Sequence, residues 1–182
     1  MAQNNFFIIT GAEGSGKTKV IDDLEKILPF YRVRYLASRN LNEQGIEIID
    51  WKKFQELAEK DSFILSFNKR DALVGVTHDE IKKARESGKP IIWEVDLQWM
   101  ETVRNDYPEA VIILINGLGI EDLYEHFESK GGAVPAAMAI SANRSNTLNK
   151  WWHEDVDHVV ENRKNESQKA AEEIKKIIES KV

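Results

Sequence analysis

Between the apolar run Phe6-Phe7-Ile8-Ile9 and an amphipathic segment starting at Lys17 lies Gly11-Ala12-Glu13-Gly14-Ser15-Gly16-Lys17-Thr18. It fits G-x-x-x-x-G-K-[ST] at every fixed position. Glycines let backbone N–H groups turn inward and approach phosphate oxygens with no Cβ in the way. Lys17 brings a point charge to the β and γ phosphates, and the Thr18 hydroxyl is placed to ligate Mg²⁺. A helix beginning near Gly16 directs its positive end at the same anion. Gly11, Ala12, Glu13, Gly14, Ser15, Gly16, Lys17 and Thr18 are therefore the expected nucleotide-binding residues, with Glu13 a solvated loop position. An apolar strand before such a loop and an amphipathic helix after it are the context that separates a phosphate loop from a chance glycine turn.

That context continues along the chain. Val20, Ile21, Leu24, Ile27 and Leu28 repeat at helical spacing over 17–28, and Trp51, Phe54 and Leu57 do so over 51–60. Phe63-Ile64-Leu65 reads as a strand. Thr77 and Glu80 are spaced as a capping box before another helix, which Gly88 and Pro90 stop. Pro90 to Asp96 reads as a buried strand ending in an acid, and a helix follows through Met100 and Val103. Ala110 to Ile115 is the most apolar strand, followed by a helix around Leu123 to Phe127. Val159-Val160 is a last short strand, and Ala170, Ile174, Ile177 and Ile178 line a terminal helix. Strands alternating with helices predict parallel pairing in an α/β domain, a three-layer P-loop fold.

At 182 residues the chain has room for one domain with a sizeable core. Acidic residues (31) outnumber basic ones (25), giving a formal charge of −6, the wrong balance for binding nucleic acid by bulk phosphate neutralisation. The absence of cysteine excludes disulfides, thiolate catalysis and Cys-ligated zinc, and it fits a reducing compartment. Residues 1–5 carry no basic run, and the apolar stretch after them is too short for a signal peptide or a membrane span. A cytoplasmic location and no membrane partner are expected. His78, His126, His153 and His158 have no metal-like spacing, and Trp151-Trp152 reads as packing surface.

A phosphate loop does not separate GTPases, ATPases and small-molecule kinases. The Ala110–Ile115 strand is followed by Asn116-Gly117-Leu118-Gly119 rather than a guanine-reading N-K-x-D, and the length favours a small-molecule kinase. Here the chain resembles the guanylate kinase family over nearly its whole length. Val33 to Arg39 is similar to the family segment ending in Thr-Thr-Arg. Ile92-Trp93-Glu94-Val95-Asp96-Leu97-Gln98 is similar to I-L-D-I-D-x-Q, and Val156 to Asn162 to D-Y-V-I-x-N. The resemblance implies ATP and Mg²⁺ as cofactors, with Asn162 helping to hold adenine.

The departures lie on the acceptor side. The second arginine and the tyrosine that bind the GMP phosphate in the family have no counterpart in the shortened Asn40 to Gly45 segment. The guanine-reading glutamate falls at Ser66, and a phosphate-binding tyrosine falls at Val74. A carboxylate accepts the guanine N1 and N2 hydrogens in a bidentate way that a serine does not reproduce. Of the lid positions His126, Lys130 and Arg144, only Arg144 keeps the planar fork suited to a transferring phosphoryl group.

The expected catalytic set is Lys17, Arg39, Asp96 and Arg144. Arg39, Ser66, Val74 and Asp96 would face the acceptor, Thr18 would ligate the metal, and Glu94 would be structural. Arg34, Lys69 and Arg70 could also line the acceptor cleft, but they read first as solvated surface charges. The core is expected over 1–35, 77–119 and 147–182, the acceptor segment over about 36–76 and the lid over about 120–146. The implied activity is ATP-dependent phosphoryl transfer to a nucleoside monophosphate, GMP by family default. The alternatives are a kinase for another small acceptor, or a non-catalytic binding module. The expected partner is a nucleotide-like small molecule, and the chain would work as a monomer or homodimer.

Overall fold

A computed structural model describes residues 5–12, 14–117 and 156–182. In chain order its elements are β1 (Phe6–Thr10), α1 (Lys17–Glu25), β2 (Tyr31–Arg32), β3 (Tyr35–Ala37), β4 (Ile46–Ile48), α2 (Trp51–Glu59) and β5 (Phe63–Lys69). There follow β6 (Ala72–Thr77), α3 (His78–Glu86), β7 (Ile91–Glu94), a 3-10 turn (Leu97–Trp99), α4 (Met100–Asp106), β8 (Val111–Asn116), β9 (His158–Glu161) and α5 (Ser167–Glu179). Two compact units are present: Met1–Pro29 with Trp93–Val182, and Phe30–Ile92. The expected acceptor segment, 36–76, falls inside the second. The expected helix at Leu123–Phe127 and lid at 120–146 lie outside the described residues.

One sheet has the strand order β2-β7-β1-β8-β9, and its β1–β8, β8–β9 and β2–β7 pairs are parallel. Parallel neighbours need crossover connections, and helices covering the sheet demand strands that are apolar throughout. All five residues of β1 are buried, as are Val111 to Ile115 of β8. Phe6 stacks on Trp93 with centroids 6.2 Å apart, and Tyr107 meets both rings edge-on at 5.2 and 5.7 Å. These are favourable aromatic geometries at the start of the sheet.

In the same unit, α1 buries Val20, Ile21 and Leu24, and α5 buries Ala170, Ala171, Ile174 and Ile178. The apolar stripe expected over 17–28 ends early. After Glu25 the chain tightens, with Ile27 N–H donating to Leu24 O at 3.0 Å, and Ile27 is left 39% exposed. Pro29 accounts for the stop, because a proline disfavours helical backbone in the residue before it.

Asp23 lies on the buried side of α1. It accepts from Lys19 Nζ at 2.6 and 2.7 Å, Lys26 Nζ at 2.7 Å and Ser167 Oγ at 2.6 Å, the last joining α1 to the first residue of α5. Those hydrogen bonds, the Lys19 bond foremost, outweigh burial and hold its carboxyl far below the usual range.

The second unit contains a sheet of order β4-β3-β6-β5, with β3–β4 parallel and the other pairs antiparallel. Ala37, Ala72 and Val74 form its buried centre, with Tyr35, Leu41, Ile46 and Phe67 packed around it. Phe54 of α2 stacks on Phe63 at 4.5 Å. The expected 63–65 strand extends to Lys69 and turns back at once through Arg70 and Asp71, both left-handed (φ 49 and 62). The Thr77–Glu80 box is half made. Thr77 Oγ1 accepts from Glu80 N–H at 3.2 Å, while the Glu80 carboxylate turns to Arg34 N–H (2.9 Å) and the Tyr31 hydroxyl (3.1 Å). No helix among the described residues is long and apolar enough to cross a membrane.

Replacing Asp23 with asparagine removes a charged acceptor from three donors and is expected to lower the melting temperature at pH 7 by about 4 °C. Because the folded carboxyl is held below its unfolded value of 3.8, its contribution is present above that pH and lost as pH falls through the folded value. Thermal melts of both proteins from pH 7 down should therefore converge in acid. A constant gap would rule out the linkage.

Candidate active site

The carboxyl ends of β1, β7, β8 and β9 bring together the residues around the glycine loop. This is the edge at which open α/β sheets bind ligands. α1 starts at Lys17 after Gly16, which is left-handed (φ 84) and sits so close to Asn162 that a Cβ would collide with Nδ2. No side chain caps the helix, and its first turn carries no acid. The first intrahelical bond is Val20 N–H to Gly16 O at 3.0 Å, so the preceding N–H groups point out of the helix end, as anion binding requires.

The loop is braced from behind. Asn162 Nδ2 donates to Ser15 O at 2.8 Å, and the Asn162 backbone donates to Asn116 O at 2.8 Å. Gly117, following β8, lies where any Cβ would run into the Ser15 backbone. A Cβ on Gly11 would stand 2.7 Å from both Ile115 O and Ser15 Oγ. Ser15 Oγ and Asn162 Oδ1 are buried with no hydrogen-bond partner among the described residues. The Ser15 hydroxyl can donate to an anionic ligand at the open helix end, whereas the Asn162 oxygen can only accept.

Lys17 is 7% exposed. Its Nζ donates to Gly11 O at 2.8 Å and Ala12 O at 3.3 Å, and lies 3.3 Å from Asp96 Oδ1. A buried ammonium needs this compensation, and it leaves the charge at the mouth of the loop. Thr18 Oγ1 donates to Glu94 Oε1 at 2.8 Å. Glu94, expected to be structural, thus accepts from the hydroxyl that is expected to reach the metal. Asp96 lies two residues past the end of β7 with its side chain 48% exposed. Among the described residues no cluster of three or more His, Asp or Glu side chains could hold a metal alone. A hydroxyl and one or two carboxylates, completed by phosphate oxygens and water, are what Mg²⁺ takes in nucleotide sites. The residues present thus fit Mg·ATP.

The donor-side residues Gly11, Ala12, Gly14, Ser15, Gly16, Lys17, Thr18, Asp96 and Asn162 all lie in the first unit. Of the expected acceptor residues, Asp96 is thus in the first unit, and Arg39, Ser66 and Val74 are in the second. Arg39 is exposed just past β3, and Ser66 is exposed on β5 opposite Gly75. Val74 does not present itself to a ligand: it is 2% exposed and packed at the centre of the small sheet. Glu13 and Arg144 lie outside the described residues. Sequence reasoning gave no site role to Glu94, read as structural, or to Gly117. Asn116-Gly117 directly after the most apolar strand was the available signal for the latter.

The guanylate kinase family model matches residues 3–181. A guanylate kinase of Fusobacterium nucleatum is 24% identical over 99% of this chain and 98% of its own length. One of Bdellovibrio bacteriovorus is 21% identical over 97% of each. Among solved structures, a guanylate kinase from Anaplasma phagocytophilum superposes with a TM-score of 0.66 at 13% identity, covering 99% of this chain and 87% of that one. A shikimate kinase from Acinetobacter baumannii has the same kind of fold, with a TM-score of 0.50 at 13% identity, covering 98% and 96%.

Gly117→Ala is expected to push the loop away from its seat and weaken ATP binding by at least about tenfold, since a strained contact of 1–3 kcal/mol falls on the binding backbone. Titration with a fluorescent ATP analogue reads the loss. Circular dichroism should show the fold retained, and unchanged affinity would deny Gly117 this role.

Proposed function

The chain belongs to the guanylate kinase family, and on that premise we propose that it transfers the terminal phosphoryl group of Mg·ATP to a nucleoside monophosphate. The observation that carries the reading is the paired arrangement at the loop: Lys17 against Asp96 at 3.3 Å and Thr18 against Glu94 at 2.8 Å. Two charge-bearing contacts are set at the open end of α1, where a triphosphate would be held. When bound, Mg²⁺ supplies neutralisation of the β and γ oxygens. Thr18 and Glu94 would hold it, with Asp96 orienting its water or an acceptor group.

The protein's contribution is positioning and charge. Lys17 is anchored by the Gly11 and Ala12 carbonyls, so its ammonium is delivered without ordering a free side chain. The outward N–H groups of α1 face the phosphates, and Asn162 keeps the loop in shape by holding Ser15 O. Arg39 would contact the acceptor phosphate and Arg144 would stabilise charge on the transferring group.

GMP is the first acceptor to test. Ser66 and the buried Val74 favour a second reading, an acceptor other than GMP. A serine hydroxyl offers one donor where guanine needs a two-oxygen acceptor, and Val74 offers no polar group at all.

ADP release from Mg·ATP, measured with each nucleoside monophosphate in turn, is expected to show turnover that falls about 10²–10³-fold in Lys17→Ala. No Lys17-dependent ADP with any monophosphate would remove the reading. Glu94→Gln should raise the Mg²⁺ concentration giving half-maximal rate by about tenfold, as loss of a supporting carboxylate typically does. An unchanged Mg²⁺ requirement would separate Glu94 from the metal.

A further inference from the structure

The Lys17 ammonium already has an anion beside it. An ammonium carries three N–H donors. Two go to Gly11 O at 2.8 Å and Ala12 O at 3.3 Å, and Asp96 Oδ1 lies 3.3 Å from the same nitrogen. Because Lys17 is buried, little water is at hand to replace any of these partners. A phosphate oxygen that is to meet the ammonium has to take over from one of them.

The three are not equally easy to move. Gly11 and Ala12 are loop backbone. A Cβ on Gly11 would stand 2.7 Å from Ile115 O and Ser15 Oγ, and Ala12 O also accepts from Ser15 N–H at 3.1 Å, so both carbonyls are fixed by the loop itself. Asp96 is a half-exposed side chain that water can receive, and an ion pair with such a partner is exchangeable.

Asp96 also has a second use for its carboxylate. It stands at the N-cap of the 3-10 turn Leu97–Trp99 in extended backbone (φ −72, ψ 145), where an aspartate ordinarily accepts from a backbone N–H of the turn it opens. Its side chain makes no such bond, and the turn is closed by backbone alone, Trp99 N–H donating to Asp96 O at 2.9 Å. The carboxylate forgoes the cap and is turned to Lys17.

The neighbouring tie is of another kind. Thr18 Oγ1 donates to Glu94 Oε1 at 2.8 Å, which leaves the hydroxyl oxygen its lone pairs for a metal. That bond can persist when a ligand binds. The Lys17–Asp96 contact puts a carboxylate on the ammonium itself.

We propose that Asp96 competes with the triphosphate for Lys17, so that donor binding dislodges the carboxylate from the ammonium. The displacement rests on this geometry alone. The use of the released group rests on the phosphoryl-transfer reading, in which Asp96 is an expected acceptor residue and its release would follow the donor.

The test is a double-mutant cycle on donor binding by the full chain. A fluorescent ATP analogue is titrated in EDTA into the parent protein, Asp96→Ala, Lys17→Ala and the double variant, with circular dichroism to show that all four are folded. Asp96→Ala should tighten binding about fivefold when Lys17 is present and less than about twofold in the Lys17→Ala background. A carboxylate that only repels the triphosphate through space would give an equal or larger gain in the absence of the lysine. A gain at least about twofold greater beside Lys17 upholds the competition, and any smaller difference overturns it. Weaker binding by Asp96→Ala would also overturn it, and would make Asp96 the group that aims Lys17 at the phosphates. The cycle needs no turnover. A Lys17-dependent gain in a protein that makes no ADP with any monophosphate would uphold the competition and remove the phosphoryl-transfer reading.

Discussion

A loop that binds anions through its backbone must keep its N–H groups unpaired, so nothing on its ligand side holds it in shape. Every support has to come from behind. Here that support is a set of approaches too close for any side chain: Gly16 against Asn162, Gly117 against Ser15, Gly11 against Ile115. The Asn162 amide adds a directed bond to Ser15 O, beside those from Lys17 Nζ to Gly11 O and Ala12 O and from Ser15 N–H to Ala12 O. The strands around the loop are placed to deliver these contacts from their carboxyl ends. The continuous apolar runs of β1 and β8 keep those ends in register by filling the core behind them. The unit's packing and its chemistry are therefore one requirement.

Charge follows the same rule. Lys17 and Asp23 are both buried on α1, six residues apart, and each is satisfied locally: Lys17 by two carbonyls and Asp96, Asp23 by two lysines and Ser167. Because Asp23 is neutralised by its own partners, it does not draw on the ammonium at the start of the helix. The helix can thus present an undiminished positive end to a ligand while being anchored to α5 through its only fully buried carboxylate. Thr18 extends the pattern, its hydroxyl held by Glu94 and already aimed away from the helix axis.

Sequence patterns were informative where one force acted over many residues. β1, β8 and α5 each bury a long apolar run or stripe, and each lies where periodicity put it. The loop was legible because eight consecutive positions are constrained together. What escaped was short or long-range. β2, β3 and β4 are two or three residues long, too few to show a period. The β5–β6 hairpin turns on Arg70-Asp71, where left-handed backbone gives no hint without glycine or asparagine. Glu80 fits the spacing of a capping box, yet its carboxylate goes to Tyr31 and Arg34, partners more than forty positions away in sequence. Glu94 looked structural for the same reason: its partner Thr18 is 76 residues distant.

The two units differ in what a substitution disturbs. Around the loop the contacts are steric and backbone-directed, so few residue types are admissible. In the second unit Arg39, Ser66 and Arg70 are exposed, while Val74 belongs to the core outright. Side chains of that first kind can be exchanged without reshaping the sheet beneath them. On the proposed reading, the donor side rests on geometry and the acceptor side on surface chemistry. Divergence on the acceptor side then requires no change in the loop, because none of the loop's supports at Gly117, Asn162 or Ile115 comes from the unit that carries those exchangeable positions.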